Sequence, residues 1–248
     1  MTMIGPYSFE DYLQAVESFH GSVAPGLLVG GFMVDLAMKR MPEGALLNAI
    51  SETHACLPDA IQLLTPCTVG NSRLKIINFG RFALSIYEKD SGEGVRVFMD
   101  AGRLESWPTI RAWLFKLKPK AEQNRERLLA EIREAGQRLC RVQPIRVDRQ
   151  HLHKKNKGRI SSCIECGEPY PLQDGPICLA CQGATVYVSI PDRQQGRSMH
   201  LILVKPQHPG RTSRGLVGNC GMCGEPYPES DGPVCHACQG ESVRVIRD

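Results

Sequence analysis

The sequence predicts an α+β domain of about 115 residues, followed by a charged helix and two small zinc-finger units with four cysteines each. Three observations predict this fold class. Within residues 1–118, apolar residues at helical spacing alternate with short β-rich runs. The last third of the chain contains four CxxC pairs. The length of 248 residues and the 42% apolar content are enough for one ordinary domain plus smaller units.

The elements of the first domain follow from local signals. Ser8 with Asp11 predicts the cap of a helix that runs to about Phe19, and Pro25 predicts the start of a second, apolar helix that extends to Met38. The remaining predicted elements are a buried strand at 45–53, a short helix at 58–65, a strand at 73–79, a hairpin of 82–90 and 95–100 across the turn 91–94, and a closing helix at 107–117.

Residues 119–160 are expected to form a charged helix and a basic linker, with 12 basic and 5 acidic side chains. The helix runs from Pro119 to about Cys140, and its apolar face consists of Leu128, Ile132, Ala135 and Leu139. This face predicts packing against the domain core or against a partner helix. A homodimer is therefore one interpretation of the stripe, although it is shorter than a convincing coiled coil.

Residues 161–190 and 191–248 contain two copies of one cysteine unit. "CIECGEPYPLQDGPICLACQG" begins at Cys163 and "CGMCGEPYPESDGPVCHACQG" at Cys220, with 15 of 21 positions identical at a constant offset of 57 residues. Such agreement indicates an internal duplication. Between the copies, "ATVYVSI" and "MHLILV" predict a further hairpin, which we assign to the start of the second segment.

Each copy has the pattern CxxC, eleven residues, CxxC, which is typical of a tetrahedral sulfur site for zinc. The predicted ligands are Cys163, Cys166, Cys178 and Cys181 for one ion, and Cys220, Cys223, Cys235 and Cys238 for the other. Iron in a rubredoxin-like site is the alternative, because four thiolates alone do not separate the two metals. His236 has Leu179 as its counterpart, so it is not counted as a ligand.

A closed four-thiolate site is structural, because it leaves no open coordination position. Because the finger is duplicated and follows a charged helix and a basic linker, we expect the fingers to dock a protein partner. Nucleic-acid binding is disfavoured, since residues 161–248 carry 7 basic and 9 acidic side chains and each zinc with four thiolates adds about −2. Tyr170 and Tyr227 could stack on bases, but packing beside the zinc knuckle is the commoner role of such a tyrosine.

Candidate chemistry in the first domain lies at His20, Cys56, Asp59 and Cys67. Cys56 precedes Pro58 at a helix start, where the macrodipole is expected to lower the pKa of the thiol. Two thiols on either side of a short helix, with a histidine from elsewhere, could form a three-ligand metal site with an open position. The alternative is that both cysteines are buried structural residues.

Two segments of the first domain carry motifs of a known family. "FHGSVAPGLLVGGFMVDLA" resembles the segment HGHxxPGxxxG of the FmdE family, whose members are associated with formylmethanofuran dehydrogenase. "ETHACLPDAIQLLTPCTVGNSRLKIINFGRFALSIY" is similar to CxxDAIQxxTGCTxG followed by a Gly-Lys turn and a strand. The resemblance spans about residues 8–118, and many members of the family carry one treble-clef-like finger after the main domain.

The resemblance implies a mixed sheet flanked by helices, thioredoxin-like in outline, with an active site that can hold a third zinc. By motif, His20 corresponds to the first histidine of HGH, Cys56 to the cysteine of CxxDAIQ and Cys67 to that of GCT. Asp59 and Gln62 fall in DAIQ. The chain departs from the pattern at Ser22, Pro66 and Arg81, where the family has His, Gly and Lys, and the loss of an imidazole weakens the predicted metal site.

These observations support three hypotheses about function. The resemblance favours an associated subunit or maturation factor of a molybdenum- or tungsten-dependent formate or formylmethanofuran-type oxidoreductase, with a molybdopterin enzyme as protein partner. The first alternative is a stand-alone metal-dependent enzyme with catalytic His20, Cys56 and Asp59. The second is a nucleic-acid-binding regulator. We expect a cytoplasmic protein without a membrane segment, since no stretch approaches 18 uncharged apolar residues and no signal peptide is evident.

Overall fold

A five-stranded mixed sheet forms the centre of the first part of the chain. The computed structural model describes residues 2–152, 158–186, 217–220 and 226–228. By contact density the chain divides into two compact units, one of Met1–His153 with Arg214–Asp248 and one of Lys154–Ser213.

The helices and strands of the described residues are, in chain order, β1 (Met3–Ile4), β2 (Tyr7–Ser8), α1 (Phe9–His20), α2 (Pro25–Met38), β3 (Leu47–Ser51), α3 (Leu57–Leu64), β4 (Leu74–Ile76), β5 (Ala83–Glu88), β6 (Glu93–Met99), α4 (Pro108–Leu114), α5 (Arg125–Ala135), β7 (Cys140–Arg146), β8 (Ile160–Ser162), β9 (Pro169–Pro171), β10 (Val217–Asn219) and β11 (Pro226–Pro228). The predicted starts of α1 and α2 are confirmed. The Ser8 hydroxyl accepts a hydrogen bond from the amide of Asp11, as the cap predicted.

The sheet has the strand order β4-β3-β5-β6-β7. β3 and β4 are parallel, whereas the pairs β3–β5, β5–β6 and β6–β7 are antiparallel. The predicted hairpin is confirmed as β5 and β6, with Leu84 opposite Val97. Because helices pack on this mixed sheet, the predicted α+β class is confirmed.

Helix α2 is apolar on all sides and is buried over most of its length. Its side chains share the core with the inward residues of β3, β5 and β6, such as Ala49, Ile86 and Val97. A helix without a polar face has to lie inside the core, which explains why α2 contacts the sheet, α3 and α5 together.

The first domain extends past residue 118, where the sequence prediction ended it. Strand β7 pairs with β6 from Glu93↔Arg146 to Met99↔Cys140, so part of the expected basic linker is the edge strand of the sheet. This strand was missed because it contains Pro144 and exposes most of its side chains, so it lacks the apolar alternation of a buried strand. Its backbone pairing with β6, which no local pattern encodes, decides its structure.

The apolar stripe of the charged segment packs within its own chain. Leu128, Ile132, Ala135 and Leu139 are at most 2% exposed and belong to the main core. The helix is shorter than predicted, because α5 ends at Ala135 and a 3-10 turn carries Leu139. The interpretation of this stripe as a dimer seam is therefore wrong, since the side chains are already covered.

The second unit contains the first cysteine repeat, in which β8 and β9 form a small antiparallel hairpin. Ile160 lies opposite Pro171 in this hairpin, and 57 residues later Val217 lies opposite Pro228 in the hairpin of β10 and β11. The offset equals that of the sequence repeat, so both copies begin with the same hairpin. The hairpin expected from "ATVYVSI" and "MHLILV" falls largely on 187–204, which lies outside the described residues.

Among the described helices, none is by itself long and apolar enough to cross a membrane. Within the same residues, α1 and α2 reach that length and composition only when taken together, at an angle of 117°.

Candidate functional site

Cys56 lies at the tight connection between β3 and α3. Its backbone has φ 60° and ψ −45°, and the amide of Leu57 donates to the carbonyl of Ala55 at 2.6 Å. These values define a γ-turn with positive φ, which is rare and strained for a residue with a side chain. The turn ends β3 and starts α3 within a few residues, and it directs the thiol towards the first turn of α2.

Gly26 in the first turn of α2 makes room for this thiol. A Cβ atom added to Gly26 would lie 2.8 Å from Sγ of Cys56 and 3.6 Å from the ring of Phe82. One helical turn on, a Cβ on Gly30 would lie 2.9 Å from Cβ of Ala60 in α3. The PGxxxG pattern therefore brings α2 and α3 into close contact and places Cys56 between the starts of the two helices.

His20 and Asp59 meet across 39 residues of sequence. Nδ1 of His20, the last residue of α1, lies 2.6 Å from Oδ2 of Asp59 in α3. The two side chains are 30% and 33% exposed. Because an ionised carboxylate only accepts hydrogen bonds, this contact places the proton of a neutral imidazole on Nδ1 and leaves Nε2 with a lone pair.

The pKa of Cys56 is raised, in contrast to the value expected from the helix start. Burial of the thiol is the main cause, and the negative charge of Asp59 adds to it. The helix macrodipole acts in the opposite direction, but it is outweighed by the loss of solvent and by a carboxylate one helical turn away. Cys56 is therefore protonated at neutral pH, which corrects the prediction of an acidic thiol.

Cys67 lies in the core and not beside His20. It is 0% exposed, and its thiol donates to the carbonyl of Leu47 at 3.3 Å. Within the described part of the chain, the cysteines of the first finger form the one group whose ligand atoms meet the distances of a metal site. His20, Cys56 and Cys67 are not brought together in that way, so a third zinc ion on these three residues stays a prediction.

A buried ion cluster at the end of β3 was missed by sequence reasoning. Glu52, 4% exposed, accepts from Nε and Nη2 of Arg96 at 2.6 and 2.9 Å, and its carboxylate lies 2.7 Å from Nη2 of Arg81. Arg81 is the residue at the family's Gly-Lys turn. The cluster joins the end of β3 to the loop before β5, and the signal for it was the charged Arg96 within the apolar strand "VRVFM".

The first finger brings its four predicted ligands together. The sulfur atoms of Cys163, Cys166, Cys178 and Cys181 all lie within 4.8 Å of one another. Those of Cys166 and Cys178 are 3.8 Å apart, which equals the edge of about 3.8 Å expected for a tetrahedron with Zn–S bonds of about 2.3 Å. The donor set therefore fits zinc, while the spacing alone leaves iron open.

The backbone around this site points amides at sulfur. The amide of Cys178 lies 3.5 Å from Sγ of Cys163, and this contact with that from Cys166 lowers the pKa of Cys163 to about 6. Gly167 adopts φ 78° and donates to the carbonyl of Cys163, which closes the first knuckle as its position after the CxxC pair predicted. Such amides stabilise thiolates, the form that binds metal.

Two side chains that recur in both repeats hold the second knuckle of the first finger. The hydroxyl of Tyr170 lies within hydrogen-bonding distance of the carbonyls of Gly175 and Pro176, at 3.1 and 2.8 Å, and the ring is 6% exposed. Gln182 donates to the carbonyl of Asp174 at 2.7 Å. Tyr170 thus packs in the finger and does not offer its ring to a nucleic-acid base.

The second finger is described only in part. Cys220 is buried at the end of β10, whereas Cys223, Cys235 and Cys238 lie outside the described residues. Tyr227 and Gln239 repeat Tyr170 and Gln182 at the offset of 57 residues. The assignment of a second zinc ion to these cysteines is a prediction from the repeat.

The first domain and the cysteine repeats each match a known protein family. Residues 19–146 match the family described as "FmdE, Molybdenum formylmethanofuran dehydrogenase operon". Residues 154–188 and 211–243 each match the "FmdE treble clef zinc finger". The two matches to the finger family cover both cysteine repeats, so the duplicated unit is a known type of zinc finger.

Among the proteins that are similar to this chain are one curated protein and one solved structure. A "probable S-adenosyl-L-methionine-binding protein" of Archaeoglobus fulgidus is 28% identical over 193 residues, and the match covers 69% of this chain and 52% of that protein. The chain thus spans about half the length of this curated relative. The crystal structure of a tungsten formylmethanofuran dehydrogenase FmdE-like protein from Syntrophus aciditrophicus is 51% identical, with a TM-score of 0.70 over 75% of this chain and 97% of that one. The chain belongs to the FmdE family and carries the FmdE treble-clef zinc finger.

Proposed function

We propose that this protein is a zinc-binding accessory protein of a molybdenum- or tungsten-dependent formate or formylmethanofuran-type oxidoreductase, acting as an associated subunit or a maturation and adaptor factor. The observation that carries the proposal is the similarity to the tungsten formylmethanofuran dehydrogenase FmdE-like protein, of which the chain covers 97%. The first domain handles a metal or pterin-related ligand at Cys56 and His20, and the fingers dock the enzyme.

Docking by the first finger is supported by its surface. Ile164 is 83% and Leu172 is 40% exposed, and the second copy has Gly221 and Glu229 at these positions. The ligand spacing is the same in both copies, so the fold of the finger does not need these apolar side chains. Exposed apolar side chains that the finger fold does not need are available for contact with a protein partner.

Affinity capture tests the proposal. The tagged full-length chain is incubated with extract of its native cells, and the retained proteins are identified by mass spectrometry together with their molybdenum and tungsten content. We expect a molybdopterin enzyme to be retained, and the double variant Ile164→Gly, Leu172→Glu to retain about 10-fold less of it. Leu117→Glu, a variant at an apolar residue 54% exposed in the first domain, is the control. Recovery of no molybdopterin enzyme by the parent chain would contradict the proposal.

A second candidate function is a stand-alone metal-dependent enzyme with an open site on His20 and Cys56, assisted by Asp59. Cys67, the third ligand that the sequence predicted, lies in the core and would have to move to join this site. The His20–Asp59 contact supports this second candidate, since a carboxylate on the far nitrogen is the usual outer partner of a zinc-bound histidine. Metal counting separates the two candidates. The enzyme hypothesis expects a third zinc ion in the parent chain that Cys56→Ser removes, whereas an empty first domain gives the same count in both.

The name of the Archaeoglobus relative suggests one further ligand. S-adenosyl-L-methionine is therefore the first organic compound to titrate into the zinc-loaded chain by calorimetry. Because this chain spans only about half of that relative, the ligand could belong to the part it lacks. Heat of binding that disappears in Cys56→Ser would place S-adenosyl-L-methionine at the site between α2 and α3.

A further inference from the structure

The face of α3 next to His20 carries two residues of the DAIQ segment, Asp59 and Gln62. They are three positions apart on the helix, so both side chains lie on the same side. Oδ2 of Asp59 lies 2.6 Å from Nδ1 of His20, and Oδ1 of the same carboxylate lies 3.5 Å from Nε2 of Gln62. Each oxygen of Asp59 therefore faces a different partner.

The orientation of the Gln62 amide is fixed by the backbone. Its Oε1 accepts a hydrogen bond from the amide of Val69 at 3.3 Å. Because a backbone N–H only donates, the oxygen of Gln62 has to face Val69, and the NH2 group has to face Asp59. The loop after α3 is thus connected to His20 through two side chains of the helix.

We propose that Asp59 and Gln62 are positioning residues that hold His20 in one tautomer, with the proton on Nδ1 and the lone pair of Nε2 directed to the ligand. Gln62 orients the carboxylate of Asp59, and Asp59 orients the imidazole. This changes the predicted catalytic role of Asp59 into one that acts through His20. The ligand role of Nε2 depends on the proposed function, whereas the tautomer does not.

This arrangement favours the binding of a soft or borderline metal ion at Nε2 of His20, or the uptake of a proton by that nitrogen. A carboxylate on the far nitrogen fixes the ring and raises its basicity towards a metal. Cys56 is the N-cap residue of α3 and Asp59 lies in the first turn, so the thiol and the carboxylate that contacts His20 belong to the same end of this helix. Gln62 acts on the geometry of His20 through the carboxylate of Asp59.

The tautomer can be measured without any ligand. The full-length chain, with zinc in its fingers and no metal added to the first domain, is labelled with 15N-histidine. Long-range 1H–15N correlation spectra at about pH 8.5, where an ordinary imidazole is neutral, separate the two tautomers. His20→Asn assigns the His20 signals. We expect the parent to show a protonated Nδ1 and an unprotonated Nε2.

Variants test each member of the series of contacts from Gln62 through Asp59 to His20, which we call the relay. Asp59→Ala is expected to lower the ratio of the Nδ1–H to the Nε2–H form about 10-fold, because a charged acceptor is lost. Gln62→Met and Gln62→Glu are expected to lower it about 2- to 3-fold. Glu at position 62 still accepts from Val69 but cannot donate to Asp59, so hydrogen exchange at the Val69 amide should rise in Gln62→Met and stay slow in Gln62→Glu.

Gln14→Met, a change of the same type on the exposed face of α1, is the control and should leave the tautomer unchanged. A parent spectrum dominated by the Nε2–H form would overturn the relay. The role of Gln62 is overturned if Gln62→Glu keeps both the Val69 protection and the parent tautomer ratio. Loss of the proposed partner or metal would not change these spectra, so failure of the proposed function is distinguished from failure of the relay.

Discussion

Cys56 combines a strained backbone with a thiol of raised pKa. The positive φ costs on the order of 1–3 kcal/mol, and the close contact with Gly26 leaves the side chain little freedom. Burial and the charge of Asp59 both keep the thiol protonated. A protonated, enclosed thiol suits a site that becomes a thiolate when a metal binds, and it protects the cysteine from adventitious alkylation.

The charge of Asp59 predicts a change in the reactivity of Cys56. In Asp59→Asn the pKa of Cys56 falls, because a negative charge that disfavours the thiolate is removed. The thiolate fraction at pH values below this pKa therefore rises, and we expect alkylation of Cys56 by iodoacetamide near pH 8 to be about 2- to 5-fold faster. Peptide mapping of the zinc-loaded chain measures the rate.

The increase remains modest because burial, the larger cause of the raised pKa, is unchanged. Glu17→Gln on the exposed part of α1 removes a charge without affecting this site and is the control. An unchanged or slower rate in Asp59→Asn would show that the carboxylate does not act on the thiol.

The buried cluster of Glu52 predicts a large loss of stability. Glu52→Gln keeps the shape but leaves two guanidinium groups without their shared carboxylate, so we expect the free energy of unfolding to fall by about 3 kcal/mol or more. Urea unfolding followed by tryptophan fluorescence reports this part of the chain, because both tryptophans, Trp107 and Trp113, lie in it.

The exposed pair of Glu93 and Arg146 provides the comparison. Their side chains are 62% and 73% exposed, so Glu93→Gln should cost about 1 kcal/mol or less. Equal losses for the two variants would mean that burial does not set the strength of the Glu52 cluster.

At the scale of elements, the contact between α2 and α3 determines the position of Cys56. Gly26 and Gly30 are one turn apart on α2, and both face α3. Their lack of a Cβ lets the two helices approach until backbone and side chains touch. The PGxxxG pattern of the family therefore has a packing reason in this chain.

Gly30→Ala tests this contact. The added Cβ would lie 2.9 Å from Cβ of Ala60 and 3.1 Å from Cδ2 of Leu57, so the helices have to separate. Overpacking costs about 1–3 kcal/mol, of which higher helix propensity returns at most about 1. We expect a net loss of about 1–2 kcal/mol in urea unfolding. Gly70→Ala, with no atom within 4 Å of the new Cβ, should stay within about 0.5 kcal/mol. An unchanged free energy of unfolding in Gly30→Ala would mean that the contact between α2 and α3 can accommodate an added methyl group.

Sequence reasoning was most reliable for elements with local signals. The cap at Ser8 and the proline at residue 25 act on the nearest turn of the chain, and α1 and α2 begin where they predicted. The edge strand β7 has no such signal, because its exposed side chains are free to be polar. Its presence in the sheet depends on the hydrogen bonds it makes with β6.

At the scale of the whole molecule, the sheet domain and the first finger each have an apolar cluster of their own. Among the described residues, the main core includes no finger cysteine, and the small cluster of the first finger consists of Cys163, Tyr170 and Cys178 with their neighbours. A cluster of this size supplies too little apolar burial to fold without metal. Folding of the finger is therefore expected to depend on zinc.

Removal of zinc should unfold the finger and leave the sheet intact. After treatment with a strong chelator we expect hydrogen exchange to become fast at residues 160–182, while amides of β3 and β5 stay protected. Cys163→Ser should lower the bound zinc by one ion per chain, and Cys140→Ser, at a buried cysteine outside the finger, should leave the count unchanged. Slow exchange in the chelated finger would show that its fold does not need the metal.

The sequence by itself determined the cysteine spacing and the duplication, because both are properties of the residue order alone. It also determined most helix starts, because a cap or a proline acts within one turn of the chain. Tertiary structure decided what distant segments do together. It brought His20 to Asp59 across 39 residues and Arg96 to Glu52 across 44, and it placed Cys67 in the core. It also reversed the expected shift in the pKa of Cys56, because desolvation depends on every segment that packs around a group, and no local pattern records that packing.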